Sequence, residues 1–242
     1  MKSTKSKASA AHLLHVASYN VHRCIGLDGL HHPERVARVI RELGVDILGL
    51  QEVELSMVSL EGQHQIEYLA RSSGLSSIAG PAKLKNHRRF GNALLTRFDI
   101  EEVRQIDLSL PGKPPRGALD VDISCYGRIV RVVVTHLGLG RSERKKQVAN
   151  LLDIISEERD KPTILVGDMN EWIPGAHSLK WLRASFHEAP SLRTFPSRLP
   201  VLSLDRIFVR PQEAFVRTKV HMSRLSRIAS DHLPITGSVM LE

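Results

Sequence analysis

Acidic, amide and histidine side chains recur in this chain where strand-like segments end. Eight of them fall in six short segments: Asn20, Glu52, His136, Asp168, Asn170, Asp205, Asp231 and His232. In layered α/β proteins the loops at strand ends build the functional site, and the strands hold its side chains in place. The pattern therefore predicts that these residues meet in one pocket.

The residue types in this set suit metal-assisted hydrolysis of a phosphate ester. Mg²⁺ prefers hard oxygen ligands, few of them from protein, and Glu52, alone or with Asp231, could hold one such ion. A cation there would neutralise charge that builds on a phosphate oxygen in the transition state. We expect Asp168 to orient or deprotonate the attacking water. We expect Asn170 to donate a hydrogen bond to a phosphoryl oxygen without repelling it.

A histidine held by a carboxylate is the second chemical unit. The carboxylate fixes the tautomer of the ring, which can then protonate or stabilise an oxygen, and Asp205 with His232 is predicted to form this pair. Each motif alone has an ordinary alternative. Asp-x-Asn after a strand is usually a turn or helix cap, and a histidine such as His136 usually packs in the core or at an edge. A series of such elements in order, each at a strand end, is hard to explain by chance.

Two similar βαβ-like runs supply the strands that position these residues. Each has a strand, an amphipathic helix and a second, largely apolar strand. The predicted bounds are Leu13–Asn20, Pro33–Leu43 and Asp46–Gln51 in the first run, and Ile129–Thr135, Ser142–Ser156 and Thr163–Gly167 in the second. Further strands are predicted near Asn92–Arg97, Val103–Leu108, Ala118–Cys125, Arg206–Val209, Phe215–His221 and Leu233–Leu241. Strands interleaved with helices indicate an α/β protein. The meander in the middle indicates mixed sheets, and we expect two sheets face to face, covered by helices.

Composition limits the classes of protein that fit. The chain has 242 residues and two cysteines, Cys24 and Cys125, which form neither a zinc spacing nor a disulfide framework, so a reducing, cytoplasmic compartment is expected. No stretch of about 18 apolar residues is present, which predicts no transmembrane segment. No linker divides the chain, and we predict a flexible N-terminal tail over residues 1–12 and one catalytic domain over residues 13–242. We expect a monomer.

The net charge of +8 indicates an anionic partner. The excess lies late in the chain, where residues 183–227 hold nine Lys/Arg and three acidic residues. Clustered cations attract polyanions such as nucleic acid, and anionic lipid is attracted by the same charge. General solubility is the ordinary alternative. An acidic site inside a basic protein indicates a metal that bridges to an anionic substrate.

As an ordered set, the motifs resemble those of the endonuclease/exonuclease/phosphatase superfamily. It includes exonuclease III-type repair enzymes, pancreatic-type deoxyribonuclease, neutral sphingomyelinases and inositol polyphosphate 5-phosphatases. The matching motifs are Tyr19-Asn20-Val21, Leu50-Gln51-Glu52, Thr135-His136-Leu137, Gly167-Asp168-Met169-Asn170, Leu204-Asp205-Arg206-Ile207 and Ser230-Asp231-His232-Leu233-Pro234. The resemblance covers about residues 14–241. It implies a four-layer α/β/β/α sandwich of two mixed sheets flanked by helices, and Mg²⁺-dependent hydrolysis by in-line attack of water, with Mn²⁺ as an alternative cation.

The resemblance also implies a role for each matching residue. On the metal side, Glu52 resembles the principal ligand, Asn20 the residue that steadies the metal and its carboxylate, and Asp231 the metal-side acid. On the catalytic side, Asp168 resembles the water-activating residue, Asn170 its transition-state partner, His232 the histidine that contacts the scissile phosphate, Asp205 its orienting carboxylate and His136 the histidine that aids the leaving group.

Two further residues are candidates for substrate binding. Arg116 opens a strand after a proline-rich loop and could clamp a phosphate through two hydrogen bonds, although an exposed arginine is the ordinary alternative. Asn92, in Gly91-Asn92-Ala93, resembles a family turn beside the site, and a plain turn residue is the alternative.

The substrate is the open question. Repair enzymes that cut at abasic sites usually carry an acid two residues after the first Asn, and His22 stands there in this chain. Because His136 also differs from that branch, abasic-site repair is not favoured. We expect a phosphodiester hydrolase with nucleic acid as its first substrate. The alternatives are a lipid phosphodiesterase or phosphatase, and a catalytically inactive module that binds nucleic acid or membrane, against which the intact motif set argues.

Overall fold

The computed structural model describes residues 11–55, 64–85, 88–156 and 161–241. The predicted N-terminal tail lies outside the described residues, except for its last two. The strands are β1 (His12–Asn20), β2 (Ile47–Glu54), β3 (Ser76–Lys85), β4 (Arg88–Thr96), β5 (Asp99–Asp107), β6 (Gly117–Cys125), β7 (Arg128–His136), β8 (Thr163–Asp168), β9 (His187–Glu188), β10 (Asp205–Arg210), β11 (Phe215–Val220) and β12 (Ile235–Leu241). The helices are α1 (Pro33–Leu43), α2 (Gln65–Ser73), α3 (Arg141–Ile155), α4 (His177–Ser185) and α5 (Ser226–Ala229).

The strands form two mixed sheets of six strands each. Their orders are β11-β12-β1-β2-β4-β3 and β5-β6-β7-β8-β10-β9. Only β1 with β2 and β7 with β8 pair in parallel, and the other pairs of these sheets are antiparallel. Parallel neighbours need a crossover connection, which α1 and α3 provide. The two predicted βαβ runs are thus the centres of the two sheets.

Three apolar cores separate four layers. The sheets pack face to face through residues such as Val16 and Ile47 on one side and Val134, Val166 and Ile207 on the other. The outer face of the first sheet packs against α1 and α2, and that of the second packs against α3 and α4. Because both faces of each central strand are buried, the strands read as nearly continuous apolar runs. The predicted four-layer α/β/β/α sandwich is confirmed.

Gly49 in β2 lets the sheets approach closely. A Cβ atom there would lie 2.5 Å from Cγ2 of Val166 and 3.1 Å from both Cγ atoms of Val134. Real carbon atoms do not come this close without displacement. The spacing of the two sheets, and of the residues at their ends, therefore depends on glycine at position 49.

Several elements were not predicted from the sequence. Helix α1 matches its predicted bounds, begins at Pro33 and ends at the left-handed Gly44. Helices α2, α4 and α5 and strands β3 and β9 were missed, because they are short or, in β3, contain Gly80 and Pro81, which normally indicate turns. Among the described residues, no helix is long and apolar enough to cross a membrane.

Candidate active site

Strand register places three of the predicted residues side by side in the second sheet. His136 of β7 is paired with Asp168 of β8, and Asp168 is paired with Asp205 of β10. Gly167, just before Asp168, makes this pairing possible, because a Cβ there would lie 2.0 Å from the carbonyl oxygen of Thr135. The row His136, Asp168 and Asp205 therefore follows from the pairing of consecutive strands.

The first sheet brings its own row to the same edge. Asn20 of β1 pairs with Gln51 of β2, which puts Asn20 beside Glu52. The Asn20 amide donates a 3.0 Å hydrogen bond from Nδ2 to Oδ2 of Asp168, across the gap between the sheets. The loop before β12 joins here as well, because the Ser230 hydroxyl donates a 2.7 Å hydrogen bond to the Asn20 carbonyl. One cleft thus collects residues from both sheets.

The buried Asp168 carboxylate is the centre of this cleft. Its Oδ2 lies 3.5 Å from Nε2 of His136 and 3.7 Å from Nε2 of His232. Its Oδ1 accepts a 2.9 Å hydrogen bond from the backbone N–H of Asn170. Burial is the main influence on the pKa of Asp168; the His232 charge lowers this pKa and the neighbouring Asp205 charge raises it, and the net result is a pKa of about 6. Asp168 is therefore a carboxylate that can take up a proton near neutral pH.

His232 and Asp205 form the predicted pair. Nδ1 of His232 donates to Oδ2 of Asp205 over 2.8 Å, which turns Nε2 toward Asp168. The Thr194 hydroxyl donates a second, 2.6 Å hydrogen bond to the same Asp205 oxygen, and the Phe195 ring lies 4.8 Å from the imidazole. Burial lowers the pKa of His232, but the Asp205 and Asp168 charges outweigh it and raise that pKa to about 10. The ring is thus held as a cation in one orientation. Thr194 was missed, since no motif surrounds it in the sequence.

Asn170 lies directly after Asp168 and Met169 in a left-handed conformation, with φ of 50°. Its Nδ2 donates to the carbonyl oxygen of Leu137 over 2.9 Å, which fixes the side chain between β7 and β8. An amide nitrogen carries two hydrogens, and one remains for another acceptor.

Glu52 is presented by a β-bulge. Between the pairs Leu50–Ala93 and Val53–Gly91, two residues of β2 face only Asn92 of β4, and Glu52 takes the left-handed φ of 58°. Such a bulge redirects a side chain and is common beside active sites. The Glu52 carboxylate accepts no hydrogen bond from the described residues and is partly exposed. Asn92 was predicted at the start of a strand and also as a turn residue. It lies inside β4, which begins at Arg88 and pairs with β2 and β3 on both sides of Asn92, so the turn is wrong.

A cavity of about 270 Å³ opens beside Glu52 and His136. Both predicted substrate-binding residues line it, with Phe90 and Asp107. The Asn92 amide donates to the carbonyl oxygen of Gly117 over 2.8 Å, which leaves its oxygen as the free end. Nε of Arg116 is buried and has no hydrogen-bond partner. Burial lowers the pKa of Arg116, while the Glu52 and Asp168 charges raise it. Arg116 therefore has unused donors at the wall of the cavity.

His22 and Arg23 also face the site, and neither was predicted as a site residue. His22, Arg23 and Cys24, directly after β1, all have positive φ values, of 44°, 58° and 58°. Each non-glycine residue in this conformation costs about 1–2 kcal/mol. The turn places Nδ1 of His22 3.7 Å from Asp231 and Nε of Arg23 3.7 Å from Glu52. Strain of this kind is typical of functional sites. The sequence signal was limited to the departure at His22.

The donor set suits a divalent cation. Glu52 and Asp231 offer carboxylate oxygens, and the cationic nitrogens of Arg23 and His22 lie 3.7 Å from them. Donor atoms of Asp168, Asp205 and His232 lie within 4.8 Å of one another, and Oδ1 of Asp205 is buried without a hydrogen-bond partner. Buried carboxylate oxygens without donors are costly unless a cation or proton balances them. The cleft thus has the oxygen-rich chemistry that Mg²⁺ and Mn²⁺ prefer.

Comparisons with known proteins agree with this geometry. A family model described as "Endonuclease/Exonuclease/phosphatase family" matches residues 17–232. The chain is 33% identical over 221 residues to "Uncharacterized protein YbhP" of Escherichia coli (strain K12), which covers 84% of this chain and 86% of that protein. An endonuclease/exonuclease/phosphatase family protein from Bacteroides thetaiotaomicron superposes with a TM-score of 0.78 at 22% identity, over 96% of this chain and 99% of that one. The mannosyl-6-phosphatase Bt3783 of Bacteroides thetaiotaomicron VPI-5482 superposes with a TM-score of 0.72 at 21% identity, over 95% of this chain and all of that one (100%). The last two likenesses concern the fold.

Proposed function

Since this chain belongs to the endonuclease/exonuclease/phosphatase family, a family of phosphoric ester hydrolases, we propose that it hydrolyses phosphodiesters with a divalent cation, Mg²⁺ before Mn²⁺. The observation that carries the proposal is the position of Asp168. Its carboxylate lies within 3.7 Å of Asn20, His136 and His232, three residues from distant parts of the chain.

In the proposed reaction, Asp168 takes the proton of a water that attacks phosphorus in line with the leaving oxygen. Its raised pKa suits this task, because a general base works best when its pKa is near the working pH. Asn20 donates from Nδ2 to Oδ2 of this carboxylate and keeps it oriented. The O–P bond to the water forms as the bond to the leaving oxygen breaks.

His232 and Asn170 stabilise the phosphoryl oxygens. The His232 cation donates from Nε2, while Asp205 holds the opposite ring nitrogen. Asn170 donates the amide hydrogen that Leu137 does not use. Preorganised donors of this kind commonly supply the largest catalytic contribution. His136 gives a proton or hydrogen bond to the leaving oxygen.

Glu52, Asn20 and Asp231 would hold the cation, which when bound neutralises charge on a phosphoryl oxygen. The free donors of Arg116 bind a non-bridging oxygen of the substrate. Asn92 accepts a hydrogen bond from the part of the substrate that occupies the cavity. On charge alone nucleic acid is the first substrate to test, because the chain carries a net +8.

The test is turnover of bis(p-nitrophenyl) phosphate with and without Mg²⁺. Asp168→Asn and His232→Gln should each lower kcat by at least about 100-fold. Arg38→Gln, an exposed residue on α1 outside the cleft, is the control and should keep full activity. Unchanged turnover in both site variants would refute the proposed function, as would full wild-type activity in EDTA.

A further inference from the structure

Exposed apolar side chains are concentrated around the cleft. Of the fifteen large apolar residues that are exposed in the described part of the chain, nine lie in five loops at the site-bearing ends of the sheets. These loops span residues 21–32, 137–140, 169–176, 189–204 and 221–234. We call them the rim. The exposed fractions reach 74% at Leu139 and 72% at Leu199, with 52% at Val201.

The topology explains why the five loops share one edge. Three of them follow the carboxyl ends of β1, β7 and β8, which carry Asn20, His136 and Asp168. The other two precede β10 and β12, which run antiparallel to β8 and β1 and therefore begin at that same edge.

Contacts between the loops show that the rim is continuous. Arg144 donates to the carbonyl oxygen of Leu139, and its guanidinium lies 5.9 Å from the ring of the exposed Trp172. The backbone N–H of Met169 donates to the carbonyl oxygen of Leu204 over 2.9 Å, and Arg227 donates to the carbonyl oxygen of Arg198 over 3.0 Å. The backbone N–H of Leu27 donates to the carbonyl oxygen of Ile228 over 3.0 Å. Apolar side chains therefore surround the entrance from several directions.

The rim has a net positive charge, with five arginines against the three acidic residues Asp28, Glu171 and Asp231. Arg193, Arg198, Arg224 and Arg227 are exposed between the apolar residues. Residues 189–204 contain no acidic residue, and the acidic residue of the 221–234 loop is Asp231, which belongs to the cleft. In the other rim loops Glu171 is buried against Arg144, and Asp28 pairs with Arg35. Exposed apolar residues mixed with arginine suit a surface that has both anionic head groups and acyl chains.

The aliphatic side chains of the rim indicate which of two anionic partners it binds, because the net charge alone suits both nucleic acid and an anionic membrane. Bases stack mainly on aromatic rings, and among the nine exposed apolar rim residues only Trp172 is aromatic. Leucine, valine, isoleucine and methionine gain little from a sugar–phosphate backbone but gain free energy when they enter an acyl region. The rim therefore favours membrane over nucleic acid.

We propose that the rim docks this protein on an anionic phospholipid surface, so that the cleft faces the phosphate esters of lipid head groups. This inference rests on the proposed hydrolysis and names its substrate class. Docking in this orientation brings the entrance of the cleft to the depth of the lipid phosphates.

Vesicle sedimentation tests the docking directly. The wild type should bind phosphatidylglycerol vesicles at least about tenfold more tightly than phosphatidylcholine vesicles. Val201→Ser should weaken binding severalfold, up to about tenfold for a fully inserted side chain. Val216→Ser, with a similar exposed fraction of 49% on β11 and outside the rim, is the matched control and should bind as the wild type does. Arg193→Gln and Arg198→Gln should each cost about fivefold on phosphatidylglycerol.

Hydrolysis of a soluble phosphodiester substrate separates this inference from the proposed function. The rim variants should hydrolyse bis(p-nitrophenyl) phosphate at the wild-type rate and lose only activity on vesicles. The proposed docking site would be wrong if Val201→Ser lost no more vesicle binding than Val216→Ser. So would tight binding to duplex DNA that falls in the arginine variants but not in Val201→Ser, because that result assigns the rim to nucleic acid. A wild type without cation-dependent turnover of any substrate would refute the proposed function even if it bound vesicles.

Discussion

Gly49→Ala tests how closely the two sheets pack. The added methyl would meet Cγ2 of Val166 at 2.5 Å, about 1 Å inside ordinary carbon contact. Overpacking of this kind costs about 1–3 kcal/mol of the free energy of unfolding. For a protein of this length, each kcal/mol lowers Tm by about 2–4 °C, so we expect a Tm lower by about 2–12 °C.

The same substitution should lower activity, because the site spans both sheets. The 3.0 Å hydrogen bond from Asn20 to Asp168 crosses the gap that the methyl would widen. A displacement of about 1 Å in catalytic groups can cost on the order of 100-fold in rate. We therefore expect kcat to fall by up to about that factor.

A compensating variant makes the reasoning refutable. Val166→Ala alone leaves a void and should cost about 2 kcal/mol. In the double variant, the methyl added at Gly49 occupies the space that Val166→Ala vacates. The loss of unfolding free energy should therefore be at least about 1 kcal/mol smaller than the sum of the two single losses. Urea unfolding followed by circular dichroism measures all three. Gly175→Ala is the control, since a Cβ there meets no atom within 4 Å. A wild-type Tm for Gly49→Ala, or strict additivity in the double variant, would show that the described packing is wrong.

Three further predictions concern charge. Asp205→Asn should lower kcat by roughly 10²–10⁴, because His232 loses the carboxylate that orients it, while circular dichroism stays unchanged. Glu52→Gln should weaken Mg²⁺ binding at least about tenfold in calorimetry, and unaltered affinity would remove Glu52 from the metal site. Arg131→Met leaves the buried Asp120 with fewer partners and should cost about 3–5 kcal/mol in urea unfolding at pH 7. Burial raises the pKa of Asp120, but hydrogen bonds from Arg131 and a second arginine outweigh this and lower it. The ion pair therefore stabilises the fold above the unfolded pKa of about 3.9 and loses this effect as pH falls through the lower folded value, so the gap between wild type and Arg131→Met should narrow below about pH 4.

Local sequence patterns were enough for the elements that carry most of the predicted site. The apolar spacing of α1 and the Pro33 and Gly44 at its ends predict its bounds, because both residues act through their own backbone preferences. The motif order predicts that Asp168, Asp205 and His136 meet in one pocket. The turn at Asn92 was wrong, although a strand was predicted near Asn92–Arg97, because the β2 bulge opposite Asn92 depends on strand pairing and leaves no pattern in the sequence.

The sequence by itself determined the α/β class, the family resemblance and the set of acids, amides and histidines, since these depend on residue type, order and periodicity. Only the tertiary structure decided that Arg23 faces Glu52, that Thr194 holds Asp205, and that nine exposed apolar residues surround one cleft. The physical reason is distance along the chain. A contact such as Asn20 with Asp168, 148 residues apart, arises from how the two sheets stack, and no short window of sequence contains that information.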